Sequence, residues 1–183
     1  MTDEELRDEL LRRMKVDQAL RDPAKGFPGD RRLARLQKLD EGNTAWLYSV
    51  VANRGWPLVS QVGERAARAA WLLAQHATAL AAQRLFRELM AEAVERDEAS
   101  PRDLAYLEDR VRVRSGRPQL YGTQFHDGAD GLEPMPIEEP GLLDERRAAV
   151  GLEPFAEYEA FIRKTEPIGR TAAVREPDGP AGR

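Results

Sequence analysis

The chain has 183 residues, enough for one domain with a real core; 42% are hydrophobic and 33% charged. A net charge of −4 gives no general attraction to nucleic acid, and the lack of cysteine excludes disulfides, thiolate metal sites and a cysteine nucleophile. No apolar run approaches the roughly 20 residues needed to cross a bilayer, and the acidic start is unlike a secretory signal, so a cytoplasmic protein away from the membrane is expected.

Thr2 and Glu5 have capping-box spacing, and Leu6, Leu10, Met14, Val16 and Leu20 then recur at helical intervals. This helix should end near Asp22-Pro23, where "DPAKGFPGD" reads as a loop. Asp30 is placed to cap a second helix carrying Leu33, Leu36 and Leu39, with a break expected at Gly42-Asn43. Trp46, Leu47, Val50 and Val51 continue the apolar face until "RGWP" stops it. Residues 1–42 are expected to be N-terminal helices and 43–165 a core helical domain. The amphipathic first helix is free to pack in cis or to pair two chains as a homodimer.

Ser60 or Gly63 opens the next helix, with Val62, Ala66, Ala69, Ala70, Leu73 and Ala77 on one broad face. A break is expected near Thr78, before a helix carrying Leu85, Phe86, Leu89, Met90 and Val94. "ASPRDLAYLEDRV" has the clearest local signal: Ser100 as N-cap, Pro101 in the first helical position and Asp103 three residues after the cap. Gly116 ends that helix. "PQLYGTQF" and "LEPMPI" then flank the turn-formers "HDGADG", which predicts a short β-hairpin near 118–137, or two extended segments. A short helix over Asp144–Val150 follows, then a last one from Pro154 that docks Phe155, Tyr158, Phe161 and Ile162. Residues 166–183 read as a flexible tail. The fold class is mainly α: a single-domain helical bundle with one small β-hairpin.

His76 is one of only two histidines, set in the apolar stretch "AAWLLAQHAT". A neutral imidazole suits a general base at cytoplasmic pH; a packed core histidine is the competing reading. Trp71 and Gln75 share a neighbouring helical face. Tyr106, Asp109 and Arg110 fall within one turn of "YLEDR", where Asp109 could orient a histidine and Arg110 could clamp an anion; a solvated, ion-paired face explains them as well. Gln119, Tyr121 and Gln124 lie among Gly116 and Gly122, so that amides and a phenol are available to orient a polar substrate, or simply to cover the helices. Trp56 reads first as a core anchor. No metal or cofactor is expected: His76 has no carboxylate or imidazole three or four residues away, and His126, Asp127 and Asp130 read as a solvated turn.

The segments "NTAWL", "GWPLVSQVGERAARAAWLLAQHA", "LAYLEDRVRVRSGRPQLYGTQF", "PMPIEEP" and "DERRAAVGLEPFAEY" together resemble an uncharacterised bacterial family, a domain of unknown function. The resemblance covers about Asn43 to Tyr158. It implies that Gln75, His76, Tyr106, Asp109, Arg110, Gln119, Tyr121, Gly122 and Gln124 are signature positions. The chain departs from the pattern after His76: relatives resemble "HAD" followed by Asp or Pro, and here Thr78 and alanines stand instead.

The expected function is that of a small, metal-free enzyme acting by proton transfer on a small-molecule substrate, such as elimination or addition, isomerisation or cyclisation, with specialised metabolism as one setting. His76 would be the base, with Asp109 setting its tautomer or Tyr121 as partner acid. Gln75, Trp71, Tyr106, Arg110, Gln119, Gln124 and Trp56 would bind the substrate. The alternative is a non-catalytic helical module that binds a ligand or protein.

Overall fold

The computed structural model describes residues 1–22, 29–128 and 131–165. The tail expected over 166–183 and most of the loop expected after Asp22 lie outside the described residues. Among those described are eight α-helices and one antiparallel hairpin, so the chain is a mainly α bundle with a small β element. No described helix is long and apolar enough to cross a membrane.

Helix α1 (Asp3–Arg21) opens on the expected capping box, with the Glu5 N–H donating to Thr2 Oγ1 and the Thr2 N–H to Glu5 Oε2. Its buried residues are Leu6, Leu10 and Asp17. Val16, expected on the apolar face, is exposed instead. The helix packs on α4 and α2, so the apolar face on which dimer pairing would depend is covered in cis. Helix α2 (Gly29–Arg54) runs through Gly42-Asn43 without the expected break. One helical glycine costs only about 1 kcal/mol, and burial of Asn43, Thr44, Leu47, Val50 and Val51 outweighs it. The boundary expected at 42 therefore falls inside one helix.

Helix α3 (Val59–Val62) ends at Gly63, which has φ +80° and also caps α4 (Glu64–Gln75). Helix α4 is the centre of the bundle and touches α1, α2, α3, α5 (Leu80–Val94) and α6 (Pro101–Arg114). Its alanines let those neighbours approach closely, and every residue from Ala66 to Gln75 except Arg68 is buried. The break near Thr78 is present. The Asp103 N–H donates to Ser100 Oγ at 3.1 Å, the cap expected for α6.

The hairpin is shorter than expected: β1 (Phe125–Gly128) pairs with β2 (Gly131–Pro134). Residues 119–124 are not a strand, and Gln119 makes only one isolated parallel bridge, to Ile137. A 3-10 turn (Pro140–Leu142), α7 (Leu143–Ala149) and α8 (Phe155–Thr165) complete the described chain. Helix α8 buries Tyr158 and Ile162, whereas Phe161, expected to dock, is exposed. Edge and stacked ring contacts link Trp71, Tyr106, Tyr158, Phe125 and Phe155 through the core.

Candidate functional site

Three helices deliver charge to one buried point. Asp17 lies on the inward face of α1, one helical turn before Arg21. Asp40 lies on α2. His76 is the C-cap of α4, with φ −89° and ψ 3°. His76 Nδ1 lies 3.0 Å from Asp17 Oδ1, and Asp17 is fully buried. Arg21 donates from Nε to both Asp17 oxygens, at 3.1 and 3.2 Å, and from Nη2 to Asp40.

The electrostatics select one protonation state. Burial lowers the His76 pKa; Asp17 works against that shift, while the charges of Arg21 and Arg110 add to it. Burial pushes the Asp17 carboxyl up, but its His76 and Arg21 contacts more than reverse this and hold it below the usual range. Asp40 is raised, chiefly by burial, with Arg21 opposing. The imidazole is therefore neutral near pH 7, and an ionised Asp17 places its proton on Nδ1. Nε2 is then the basic nitrogen.

The backbone around His76 is tied down. The Gln83 amide donates to the carbonyls of Ala74 and Gln75 in the last turn of α4. Arg114 donates to the carbonyls of Ala77 and Thr78, and the Thr78 N–H donates to Thr44 Oγ1. Thr78 thus has a backbone role at this break.

Helices α4 and α6 run side by side in the same direction. Arg68 acts on Asp103, whose pKa burial lifts to about 6. One turn on, Trp71 meets Tyr106 edge to face at 6.2 Å. Next, Arg110 acts on His76, and Arg114 closes the row at Ala77 and Thr78. Gln75 lies one turn beyond Trp71 on the same stripe. It is buried, and neither atom of its amide has a hydrogen-bond partner; nor has Trp71 Nε1. Burial raises the Tyr106 pKa to about 12, so its phenol stays protonated. The structure therefore brings His76, Gln75, Trp71, Tyr106 and Arg110 to one seam.

Asp109 and residues 119–124 form a different assembly. Asp109 does not reach His76. Its carboxylate accepts from the N–H groups of Leu120, Tyr121 and Thr123 and from the Thr123 hydroxyl. Gln119 closes the same loop, its amide accepting from the Gln124 N–H and donating to the carbonyls of Gln124 and Met135. The Gln124 amide donates to Thr123 Oγ1. Tyr121 is half-buried, and its carbonyl accepts from the fully buried Arg147, which stacks over Tyr158. The side chains of Asp109, Gln119 and Thr123 hold this loop, which corrects the expectation that Asp109 sets the His76 tautomer. Trp56 is buried in the apolar core, as an anchor would be.

The residue that holds His76 is Asp17, and the sequence offered one signal of it: a carboxylate on the stripe of Leu6 and Leu10, followed four residues later by Arg21. Asp17, Asp40 and His76 also place one donor atom each within 4.8 Å of the others, a set of ligand types that suits a divalent metal. Spacing along the chain hid this set because each ligand comes from a different helix. Arg21 already bridges the two carboxylates and supplies positive charge among these donors. No curated protein and no solved structure matches the chain. Residues 4–168 match the model of DUF6624, a family of unknown function, and the chain belongs to that family.

Proposed function

We propose that the protein is a small enzyme that moves protons on a small metabolite, with His76 Nε2 as the general base. The observation behind this reading is the 3.0 Å contact between His76 Nδ1 and the buried Asp17. A carboxylate on Nδ1 fixes the tautomer, directs the basic lone pair to Nε2 and stabilises the imidazolium that forms when a proton is taken. Asp17 takes the orienting role first expected of Asp109. Asp40 and Arg21 border the base on one side, and the α4–α6 seam with Gln75, Trp71, Tyr106 and Arg110 borders it on the other.

A single base supplies about 10²- to 10⁴-fold of rate. That suits reactions whose main barrier is removal or relocation of a proton: elimination or addition, isomerisation or cyclisation. The test is a turnover screen of small carbonyl and hydroxy metabolites with wild type, His76→Ala and Asp17→Asn. Loss of about 10²-fold or more in His76→Ala, with a smaller loss in Asp17→Asn, is expected. Equal turnover in all three proteins would refute the mechanism. Binding without turnover in the wild type would favour the non-catalytic module.

A further inference from the structure

The unpaired amide of Gln75 is the least explained buried group next to the base. Trp56 Nε1 and Asn43 Nδ2 are also unpaired, but each is a single atom. Gln75 leaves an acceptor and a donor unmet together, and Trp71 Nε1, one turn away on the same stripe, adds a second donor. A buried polar atom without a partner costs roughly 1–3 kcal/mol, so three on one short face amount to a substantial cost in the unliganded protein. A ligand that meets all three removes that cost, and a site built to pair such groups rejects analogues that cannot.

We propose that Gln75 and Trp71 form a recognition subsite for a small, neutral, amide-like group, such as a lactam, primary carboxamide or pyrimidinone edge. A side-chain amide presents C=O and N–H₂ next to each other. Its complement is a ligand edge with N–H and C=O next to each other, making two parallel hydrogen bonds. The Trp71 indole N–H then donates to the other lone pair of the same ligand carbonyl. An uncharged ligand is favoured because ionic groups would be desolvated between two packed helices. This subsite rests on the reading of His76 as the base, since His76 follows Gln75 directly and would act on the group held there.

Two lines of measurement test it. The first is stability. Replacing an unmet buried amide by a hydrocarbon of similar size removes the cost, so Gln75→Leu and Gln75→Met should each melt at least as high as wild type. A clear fall in melting temperature for both would mean that the amide is already paired, and would overturn the proposal.

The second is binding, read on the indole N–H signal of Trp71 by NMR, assigned with Trp71→Phe. The probes are 2-pyrrolidinone, which has N–H and C=O side by side, and cyclopentanone, of the same shape but without the N–H. The lactam should shift the signal and bind about tenfold more tightly than the ketone, the effect of one buried hydrogen bond. Gln75→Leu should abolish that preference. His76→Ala should keep it, so the subsite is tested apart from the base. No response to either probe, or equal responses to both, overturns the subsite whatever becomes of His76.

Discussion

Asp17 and His76 stand 59 residues apart in the chain and 3.0 Å apart in space. The contact locks the end of α1 to the end of α4, and it orients the imidazole. Both effects follow from one buried carboxylate, so they must be measured separately. Asp17→Asn keeps the shape and an acceptor oxygen but removes the charge from beneath Arg21. Breaking a buried pair costs about 3–5 kcal/mol, and Arg21 keeps Asp40, so a loss near the low end, about 3 kcal/mol, is expected in denaturant unfolding. The ¹⁵N shifts of His76 should report the Nδ1–H tautomer in wild type and a mixture in the variant. A wild type already mixed between tautomers would remove the structural basis for His76 Nε2 as the base.

The pH dependence of stability has a defined sign. The charged groups around His76 are Asp17 and Arg21 from α1, Asp40 from α2 and Arg110 from α6. The folded-state pKa of His76 lies below its ordinary 6.5 because burial outweighs Asp17. Below pH 6.5 the unfolded chain takes up a proton that the folded chain refuses, so the folded state loses stability as pH falls through that window. Above 6.5 the imidazole is neutral in both states and the effect is absent. The stability of wild type relative to His76→Gln should therefore shrink from pH 7.5 to pH 5.5. The opposite trend would show that Asp17 holds a charged imidazolium, and His76 would then be an acid rather than a base at neutral pH.

Asp109 provides the contrast, a carboxylate of scaffold rather than site. It accepts from three backbone N–H groups and one hydroxyl, all in residues 120–123. Asp109→Asn sets an amide donor against these donors. Hydrogen bonds to a charged group contribute about 1.5–3 kcal/mol each, so a loss of at least about 3 kcal/mol is expected, with faster amide exchange in 119–124. The His76 tautomer should not change. A changed tautomer would return Asp109 to the site.

The contrast between these two carboxylates shows what the sequence could reveal. Local signals read correctly: Ser100 and Pro101 start α6, Thr2 and Glu5 start α1, and the break after His76 is where its neighbours place it. These features are settled by residues within one turn of each other. Asp17 and Asp40 were not legible as neighbours of His76, because what brings them there is the meeting of three helices. Asp109 misled because an Asp-Arg pair on a helix looks the same whether it serves a histidine or a loop. The Gln119–Gln124 segment misled for a related reason: the turn-formers of "HDGADG" predicted a strand before them, but Asp109 supplies acceptors that a neighbouring strand would have given. Gln75 and His76 stood out in the sequence because a polar pair interrupts an alanine- and leucine-rich helix.

Gly122 is a position where close approach of the backbone is expected, and the structure shows what approaches. It has φ +69°, and a Cβ there would lie 2.7 Å from Cε2 of the Phe155 ring. Gly122→Ala therefore meets two penalties. The left-handed backbone costs a non-glycine residue about 1–2 kcal/mol. Displacing a packed ring adds about 1–3 kcal/mol. Gly116 separates the two, because it has φ +73° and a methyl group there would meet no atom within 4 Å. Gly116→Ala should cost only the backbone part, and Gly122→Ala should cost clearly more. Trimming the ring with Phe155→Leu should make Gly122→Ala less costly in that background than in wild type. Equal costs for the two glycine variants would mean that α8 shifts freely against the loop, and that Phe155 does not brace the segment Asp109 holds.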